Sequence, residues 1–418
     1  MLKLSFWRLM AALLVVSLVS ACGGGAGSAA PTPGGFTVTP GNGQAIISWT
    51  ASPGVQYWLM YAPTATPIDI SNPPGNHAWA TNISSPYVIT GLTNGVTYSF
   101  AMNARTDGGK GGAQTASQSV TPGYAGSNWI SGTGMAASDL RGVAYGTASD
   151  STINYVAVGA GGTIYKGLDG VSQSVSGMLW NAVTPVPNVN FNAATYAFGK
   201  FIAVGDSGTN NIYTSADMTS WTAASTSVTT RLNGIASNGT TLVTVGDGGR
   251  IYYSVDALNW SAASALPGGV TPRLNGVAYS AGTASWVAVG AGGALFTGSA
   301  DGATWTAVSN ANINDLNGVT ATSAGVFVAV GNGGTILTSS GGNSWTAQTL
   351  GSNLNAVSTD SVQFLAVGAA GTVLSSLDGS IWTTIAQTSA TGNLKAVVGS
   401  TSKYLVVGDA GGNMSSNH

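Results

Sequence analysis

The second two thirds of the chain repeats one pattern of short apolar runs separated by small polar residues. In the copy that begins at Leu274, the runs read LNGVAYS, SWVAVG, ALFTGS and TWTAVS. Each run is rich in β-branched or aromatic residues, and Gly, Asn, Asp or Ser fill the gaps, which predicts strands joined by tight turns. The copies recur about every 40 residues, and four strands in such a period are typical of one β-propeller blade.

Three markers count the copies. A Val-Gly pair ends the second run seven times, with its glycine at Gly159, Gly205, Gly246, Gly290, Gly331, Gly368 and Gly408. The first run also opens seven times, at Leu140, Phe191, Leu232, Leu274, Leu316, Leu354 and Leu394. A tryptophan marks the fourth run six times, at Trp180, Trp221, Trp260, Trp305, Trp345 and Trp382. We therefore predict an all-β chain whose larger part is a seven-bladed β-propeller.

The seventh copy ends at His418, where its third run should end, and it lacks a tryptophan. A matching fourth run lies upstream of the first copy, because the sequence around Trp129 (NWIS) is similar to that around Trp260 (NWSA). We predict that the strand near Trp129 completes the last blade and closes the ring. Such closure leaves no long open sheet edge.

Residues 1–21 have the pattern of an export signal. Lys3 and Arg8 accompany an apolar stretch of residues 9–19, which is too short for a comfortable transmembrane helix. The sequence Val-Ser-Ala-Cys that ends at Cys22 resembles the lipobox of bacterial lipoproteins. That resemblance implies that Cys22 is lipidated and becomes the mature N-terminus. The alternative is an ordinary secretory signal followed by an incidental cysteine.

The residue after the lipobox cysteine is Gly23 and not Asp. By resemblance to Gram-negative lipoproteins, this implies an outer-membrane location. Residues 22–35 are rich in Gly, Ala, Ser and Pro, which predicts a flexible tether. Cys22 is the only cysteine, so an intrachain disulfide is excluded.

Residues 36–122 form a predicted domain of their own. Strand-like runs at 45–50 (AIISWT) and 55–61 (VQYWLMY) precede the sequence GLTNGVTY and the run SFAMNA. This stretch resembles a fibronectin type III domain. The resemblance implies that Trp49 is the core tryptophan, and that Leu92 and Tyr98 form a tyrosine corner. We expect a spacer that lifts the propeller off the membrane, with binding by this domain as the alternative. Residues 123–127 are a predicted linker, and residues 128–418 the propeller.

Charge and composition narrow the function classes. Charged residues are 6% of the chain against roughly 25% in an average domain, and the chain has 61 glycines. Few charges suit strands that are buried on both faces between blades. Removal of Lys3 and Arg8 leaves 10 basic and 14 acidic residues, a net charge of −4. No basic stripe is present, which argues against a nucleic-acid partner.

The turn between the third and fourth runs carries a motif, SADGATW, which ends at Trp305. Related turns precede four other tryptophans, and one of them has Gly341 in place of Asp. These turns resemble Asp-boxes shortened by one residue, in which the carboxylate bonds amides of its own hairpin. We expect a structural role, with calcium or substrate binding as the alternative. The whole repeat resembles the propellers of the photosystem II assembly factor family, which implies the fold. The resemblance does not imply that this chain shares the family's role in photosystem assembly, because the basic cluster expected of such a factor is absent.

The sequence argues against an enzyme. It contains no Glu, whereas sialidase-like propellers and other glycosidases use Glu or paired carboxylates. The only histidines are His77 and His418, so neither a Ser-His-Asp set nor a zinc site can be drawn within the propeller. We expect no cofactor and no metal. A hydrolase of envelope or extracellular glycans remains the alternative, and a structural surface protein without a ligand is the third possibility.

Charged residues recur at one end of the predicted blades. Asp206, Asp247 and Asp409 follow the second runs, and Arg141, Arg231 and Arg273 stand at the first runs. In a propeller both sets lie on one face, around the channel mouth. We predict that this face binds a protein or glycan of the cell envelope. The alternative is that these residues form Asp–Arg ion pairs between adjacent blades.

Overall fold

The computed structural model describes residues 30–41, 43–106, 109–123, 129–147, 153–168, 178–186, 189–206, 210–224, 228–385, 392–400 and 403–417. The predicted signal segment and Cys22 lie outside these residues, as do residues 124–127 of the predicted linker, Asn128 at the predicted start of the propeller, and His418. Within the described ranges, no helix combines the length and the apolar character needed to cross a bilayer. The chain divides into two compact units, with the division after Gly123.

The described residues of the first unit form seven strands in two antiparallel sheets. These strands are β1 (Gly34–Gly41), β2 (Gln44–Thr50), β3 (Val55–Ala62), β4 (Ala78–Ile83), β5 (Tyr87–Thr90), β6 (Tyr98–Thr106) and β7 (Gln118–Val120). The three-stranded sheet has the order β1-β2-β5, and the four-stranded sheet has the order β4-β3-β6-β7. Buried side chains of both sheets meet in one core, which makes this unit a β-sandwich.

The residues that the fibronectin type III resemblance predicted for the core and the tyrosine corner lie in the core of this sandwich. Trp49 and Leu92 are buried, and the hydroxyl of Tyr98 accepts a hydrogen bond from the Thr93 amide at 3.1 Å. The sandwich also begins earlier than expected, because β1 starts at Gly34 and Ala30 is buried against the same core. The sandwich therefore includes residues that were predicted to belong to the flexible tether.

In the described part of the second unit the strands form seven four-stranded antiparallel sheets, numbered here as blades 1 to 7 in chain order of their first strands. The first strands are β9 (Leu140–Thr147), β13 (Asn190–Ala197), β17 (Leu232–Ser237), β21 (Leu274–Ser280), β25 (Leu316–Ala321), β29 (Leu354–Thr359) and β33 (Leu394–Gly399). The second strands are β10 (Ile153–Gly159), β14 (Lys200–Asp206), β18 (Leu242–Gly246), β22 (Ser285–Gly290), β26 (Val326–Gly331), β30 (Phe364–Gly368) and β34 (Lys403–Gly408).

In each blade the third and fourth strands, which form the outer half, together contain fewer residues than the first and second strands. The third strands are β11 (Ile164–Leu168), β15 (Ile212–Ser215), β19 (Ile251–Ser254), β23 (Leu295–Gly298), β27 (Thr335–Ser340), β31 (Val373–Ser376) and β35 (Asn413–Asn417). The fourth strands are β12 (Trp180–Val183), β16 (Thr222–Ala223), β20 (Ser261–Ala262), β24 (Trp305–Ala307), β28 (Thr346–Thr349), β32 (Thr383–Thr384) and, for blade 7, β8 (Ile130–Ser131). Three-residue 3-10 turns lie at Ala160–Gly162, Asp247–Gly249, Pro267–Gly269, Ala291–Gly293, Asn332–Gly334, Ala369–Gly371 and Asp409–Gly411.

The predicted closure of the ring is confirmed. Strand β8 pairs with β35 through Ile130–Ser415 and Ser131–Met414, so a strand from the start of the unit completes the last blade. The same segment continues to blade 1, where Thr133 and Leu179 form a parallel bridge. The first strands β33 and β9 are also neighbours, and one hydrophobic cluster joins blade 7 to blade 1. The seven blades therefore form a closed β-propeller.

Each marker tryptophan packs between its own blade and the preceding one. The seven residues are Trp129, Trp180, Trp221, Trp260, Trp305, Trp345 and Trp382, one in each cluster between blades. Trp129 occupies the interface between blades 6 and 7, the place that the other six leave unfilled.

The seven Val-Gly pairs have a steric cause. Gly246 ends the second strand of blade 3 and lies against Arg231, the residue just before the first strand. A Cβ atom on Gly246 would stand 2.1 Å from the Arg231 carbonyl oxygen. The other six glycines face a carbonyl oxygen at 2.0–2.2 Å in the same way. Any larger residue would push the second strand away from the first, so the repeat depends on glycine there.

Candidate functional site

Each first strand contains a one-residue bulge near its start. In blade 3, Leu232 pairs with Gly246 and the next pair is Gly234–Val245, which leaves Asn233 as the extra residue. A bulge bends its strand and changes the direction of a side chain. The equivalent residues of the seven blades all line one cavity at the mouth of the central channel. They are Arg141, Asn192, Asn233, Asn275, Asn317, Asn355 and Lys395.

The cavity is open and has a volume of about 580 Å³. Two further rings follow the bulge residues toward the interior. The first is made of small residues, Gly142, Ala193, Gly234, Gly276, Gly318, Ala356 and Ala396, and the second of aliphatic ones, Val143, Ala194, Ile235, Val277, Val319, Val357 and Val397. The small ring reflects close approach of neighbouring first strands, since a Cβ on Gly276 would stand 3.2 Å from the Gly318 Cα. The mouth is therefore polar and the channel below it apolar.

Five of the bulge residues are Asn, and each bonds a backbone carbonyl of the next blade. The side-chain amide of Asn233 donates to the Leu274 carbonyl of the next blade at 2.9 Å. Asn192, Asn275, Asn317 and Asn355 donate in the same way to Leu232, Leu316, Leu354 and Leu394, at 2.7–2.8 Å. This ladder was not predicted from the sequence, although its signal is an Asn directly after the first residue of the first run in five repeats.

The structure brings five of the six charged residues that were predicted on this face to the cavity. Arg141, Arg231, Arg273, Asp247 and Asp409 line it, and Asp206 contacts Arg231 from blade 2 at 3.8 Å. Their role in binding stays a prediction. The side chain of Asp247 accepts from Asn233 at 2.8 Å and pairs with no arginine in the described part of the chain.

Ion pairs between blades are also present. Besides Arg231–Asp206, Arg273 of blade 4 contacts Asp315 of blade 5 at 3.2 Å, and Lys395 contacts Asp409 within blade 7 at 3.7 Å. Both arginines are about half exposed, at 47% and 53% of the side chain, and such pairs contribute about 0–1 kcal/mol each. The sequence analysis did not single out Asp315 or Lys395. These pairs leave the arginines accessible to a partner.

The opposite ends of the blades carry the turns between third and fourth strands. In these turns Asp217, Asp256, Asp301 and Asp378 accept hydrogen bonds from nearby backbone amides and from the first serine of the motif. The indole of each following tryptophan donates to a backbone carbonyl three residues earlier, as Trp305 does to Gly302 at 3.0 Å. Every carboxylate is thus engaged within its own turn, as a structural role requires.

These bonds lower the pKa of all four carboxyl groups below the ordinary value. The largest cause is the backbone amide three residues ahead for Asp217, Asp256 and Asp378, and the Ser299 hydroxyl for Asp301. No group of three or more His, Cys, Asp or Glu side chains that could hold a metal ion occurs among the described residues.

The lowered pKa values predict loss of stability in acid. A carboxyl whose pKa is lower in the folded state stabilises the fold above its unfolded pKa of about 4, and this contribution disappears as the pH falls through the folded value. We expect the free energy of unfolding in urea to be nearly constant from pH 7 to 5 and to fall below about pH 4. Asp→Asn changes at all four positions should reduce that fall, and an unaltered acid profile would contradict the assignment.

Comparison with solved structures identifies the fold of the second unit. YCF48 bound to a D1 peptide matches 70% of this chain and 94% of its own, with 16% identity and a TM-score of 0.53. YCF48 from Cyanidioschyzon merolae matches 69% of this chain and 98% of its own, with 14% identity and a TM-score of 0.53.

A catalytically inactive histidine-to-alanine variant of virginiamycin B lyase from Staphylococcus aureus, solved with quinupristin, matches 70% of this chain and 99% of its own. Its identity is 9% and its TM-score 0.58. No protein-family model matches the sequence, and no curated protein is similar to it in sequence. At these identities the likeness shows the β-propeller fold alone.

Proposed function

We propose that this protein is a non-catalytic binding protein of the bacterial cell envelope, whose channel-mouth face holds a protein or glycan partner. The observation that carries the proposal is the open cavity to which all seven blades contribute charged or amide side chains. A likeness in fold to a propeller that was solved with a bound peptide supports the same use of the fold. The opposite face has less to offer, because its carboxylates are engaged within their own turns.

The first unit is best explained as a fibronectin type III spacer. Its two sheets have three and four strands, and the Thr93 amide bonds to the Tyr98 hydroxyl as a tyrosine corner requires. The proposed anchor is a lipid on Cys22, supported by the lipobox in the sequence. The spacer would then hold the propeller away from an outer-membrane surface.

Two observations favour binding over catalysis. The chain has no Glu, and the cavity carboxylates Asp139, Asp247 and Asp409 each accept a hydrogen bond from a nearby amide. The lyase of similar fold was inactivated by the loss of one histidine, whereas this sequence has no histidine between Trp129 and Asn417. A glycan hydrolase remains the alternative function, and it would require an acid and a base drawn from aspartates alone.

Arg231 and Arg273 offer a direct test of the binding face. Their planar guanidinium groups suit recognition of carboxylates and aromatic rings. Changing both to Ala should weaken capture of the partner from an envelope extract by about 1–3 kcal/mol for each residue that is a hot spot. Because each exposed ion pair contributes at most about 1 kcal/mol, the melting temperature should change little.

The matched control changes the opposite face. Asp301→Ala together with Asp378→Ala should lower stability and spare capture, because both carboxylates bond their own turns. Capture that survives loss of the two arginines, together with a large fall in melting temperature, would show that they serve the fold and that the binding face is wrongly placed.

A further inference from the structure

Two of the seven bulge residues are cations, and they are adjacent in the ring. Arg141 of blade 1 and Lys395 of blade 7 occupy the same register position on the neighbouring first strands β9 and β33. Both line the channel-mouth cavity. They therefore place two positive charges on the side of the mouth where the ring closes.

The ladder of side-chain amides does not continue through these two cations. In the other five blades the bulge residue is Asn, and its amide bonds the next blade. Arg141 donates instead to the Asn192 side-chain oxygen at 3.2 Å, and Lys395 contacts Asp409 at the long distance of 3.7 Å. The two cations therefore interrupt a ladder that Asn forms in the other five blades.

Arg141 is also the cavity arginine without an acidic partner. Arg231 and Arg273 contact Asp206 and Asp315, but no carboxylate of the described residues lies within 4.0 Å of the Arg141 guanidinium. A guanidinium has five N–H donors in a fixed fork, and the bond to Asn192 uses one of them. The remaining donors can bind a carboxylate in two-pronged geometry, beside the Lys395 ammonium.

We propose that Arg141 and Lys395 bind a carboxylate group of a polypeptide partner at the channel mouth. The inference rests on the proposed function and specifies its chemistry. Among the described residues, the cavity lining contains no Trp, Tyr or Phe, the side chains on which sugar rings stack, and it offers aliphatic and amide groups instead. The lining therefore favours a peptide carboxylate over an acidic sugar.

The test uses random-sequence, N-acetylated heptapeptides that contain no Asp or Glu. They are prepared in two forms, one with a C-terminal carboxylate and one with a C-terminal amide. The full mature chain with Cys22→Ser is immobilised, and retained peptides are quantified by mass spectrometry. We expect the acids to be retained at least tenfold over the amides. Arg141→Asn with Lys395→Asn should abolish that preference while leaving the melting temperature unchanged or raised, because Asn is the residue of the other five blades.

A charge-matched control, Lys166→Gln with Lys200→Gln, removes two cations outside the cavity and should keep the preference. Equal retention of acids and amides, no retention of either, or a preference that survives the Asn changes would overturn the proposal. A fall in melting temperature with unaltered retention would show that the cations serve the fold, and would overturn it too.

Oligogalacturonate serves as the acidic-sugar probe in the same assay. Its retention in place of the peptides, with the same dependence on Arg141, would overturn the choice of a polypeptide. The proposed function is judged separately by capture from an envelope extract. Capture that needs Arg231 and Arg273 but tolerates the Asn changes would overturn the carboxylate site alone.

Discussion

Deletion of residues 123–133 will cost the propeller most of its stability. This segment supplies β8, the fourth strand of blade 7, and Trp129, which packs between blades 6 and 7 with Leu365, Val406 and Met414. Truncation of a buried Trp costs about 3–5 kcal/mol, and the total stability of a domain is only about 5–15 kcal/mol. Trp129 is partly exposed, so we expect the low end of that range from the aromatic side chain alone.

The deletion also breaks the connection to blade 1. The Thr133 amide donates to the Met178 carbonyl at 3.0 Å, and the Trp180 amide donates to the Thr133 carbonyl at the same distance. Each lost backbone hydrogen bond costs about 1 kcal/mol, and the edge of β35 would be left unpaired. The two ends of the ring would then be held together only by direct contacts between blades 7 and 1, such as the Trp180 indole that donates to the Asn413 side-chain oxygen at 3.2 Å.

Calorimetry of the deletion variant should show a melting temperature lowered by more than 10 °C, or no cooperative transition of the propeller. Trp129→Ala and Trp260→Ala should cost similar amounts, because both tryptophans fill the same place in different blades. Val255→Ala is the exposed control and should change little, since its side chain is 69% exposed. A deletion variant that melts with the parent chain would refute closure through this segment.

The number of blades and the closing strand could be predicted because each rests on a local steric need. Gly246 and its equivalents must be glycine where second and first strands meet, so they mark every repeat. Trp129 and its equivalents fill one kind of site between blades, so a missing seventh copy could be sought elsewhere in the chain. Because the same steric need recurs in every blade, it produces a repeated residue pattern that can be recognised in a single sequence.

The contacts at the mouth could not be predicted in the same way. The amide of Asn275 bonds a carbonyl 41 residues later, and Arg273 contacts Asp315, 42 residues later. In both cases the partner belongs to the next blade, so the contact depends on how two separate sheets align. The pattern of residues within one repeat does not predict that alignment. The start of the sandwich was missed for another reason. Residues before Phe36 are rich in Gly and Pro and lack strand alternation, yet Ala30 packs in the core.

We expect the proposed lipid on Cys22 to decide where the protein resides. Acyl chains contribute about 0.8 kcal/mol of membrane-binding free energy for each buried CH₂ group, so a lipid anchor binds the membrane more strongly than a peripheral surface contact does. The mature chain has few charges and a net charge of −4, so electrostatic attraction to anionic lipid cannot replace the anchor. Cys22→Ser should therefore move the protein from the membrane fraction to the soluble fraction.

A second variant separates lipidation from signal cleavage, because Cys22→Ser could leave the apolar stretch of residues 9–19 attached. In this variant a cleavable secretory signal replaces residues 1–22, so that the mature chain begins at Gly23. It should be soluble, whereas Ser20→Ala, which keeps the small residue and Cys22, should stay in the membrane and incorporate labelled palmitate. Washing with 1 M salt shortens the Debye length to about 3 Å and removes proteins held by charge alone. If the Gly23 chain still sediments with membranes after that wash, another part of the protein holds it there and the anchor at Cys22 is refuted.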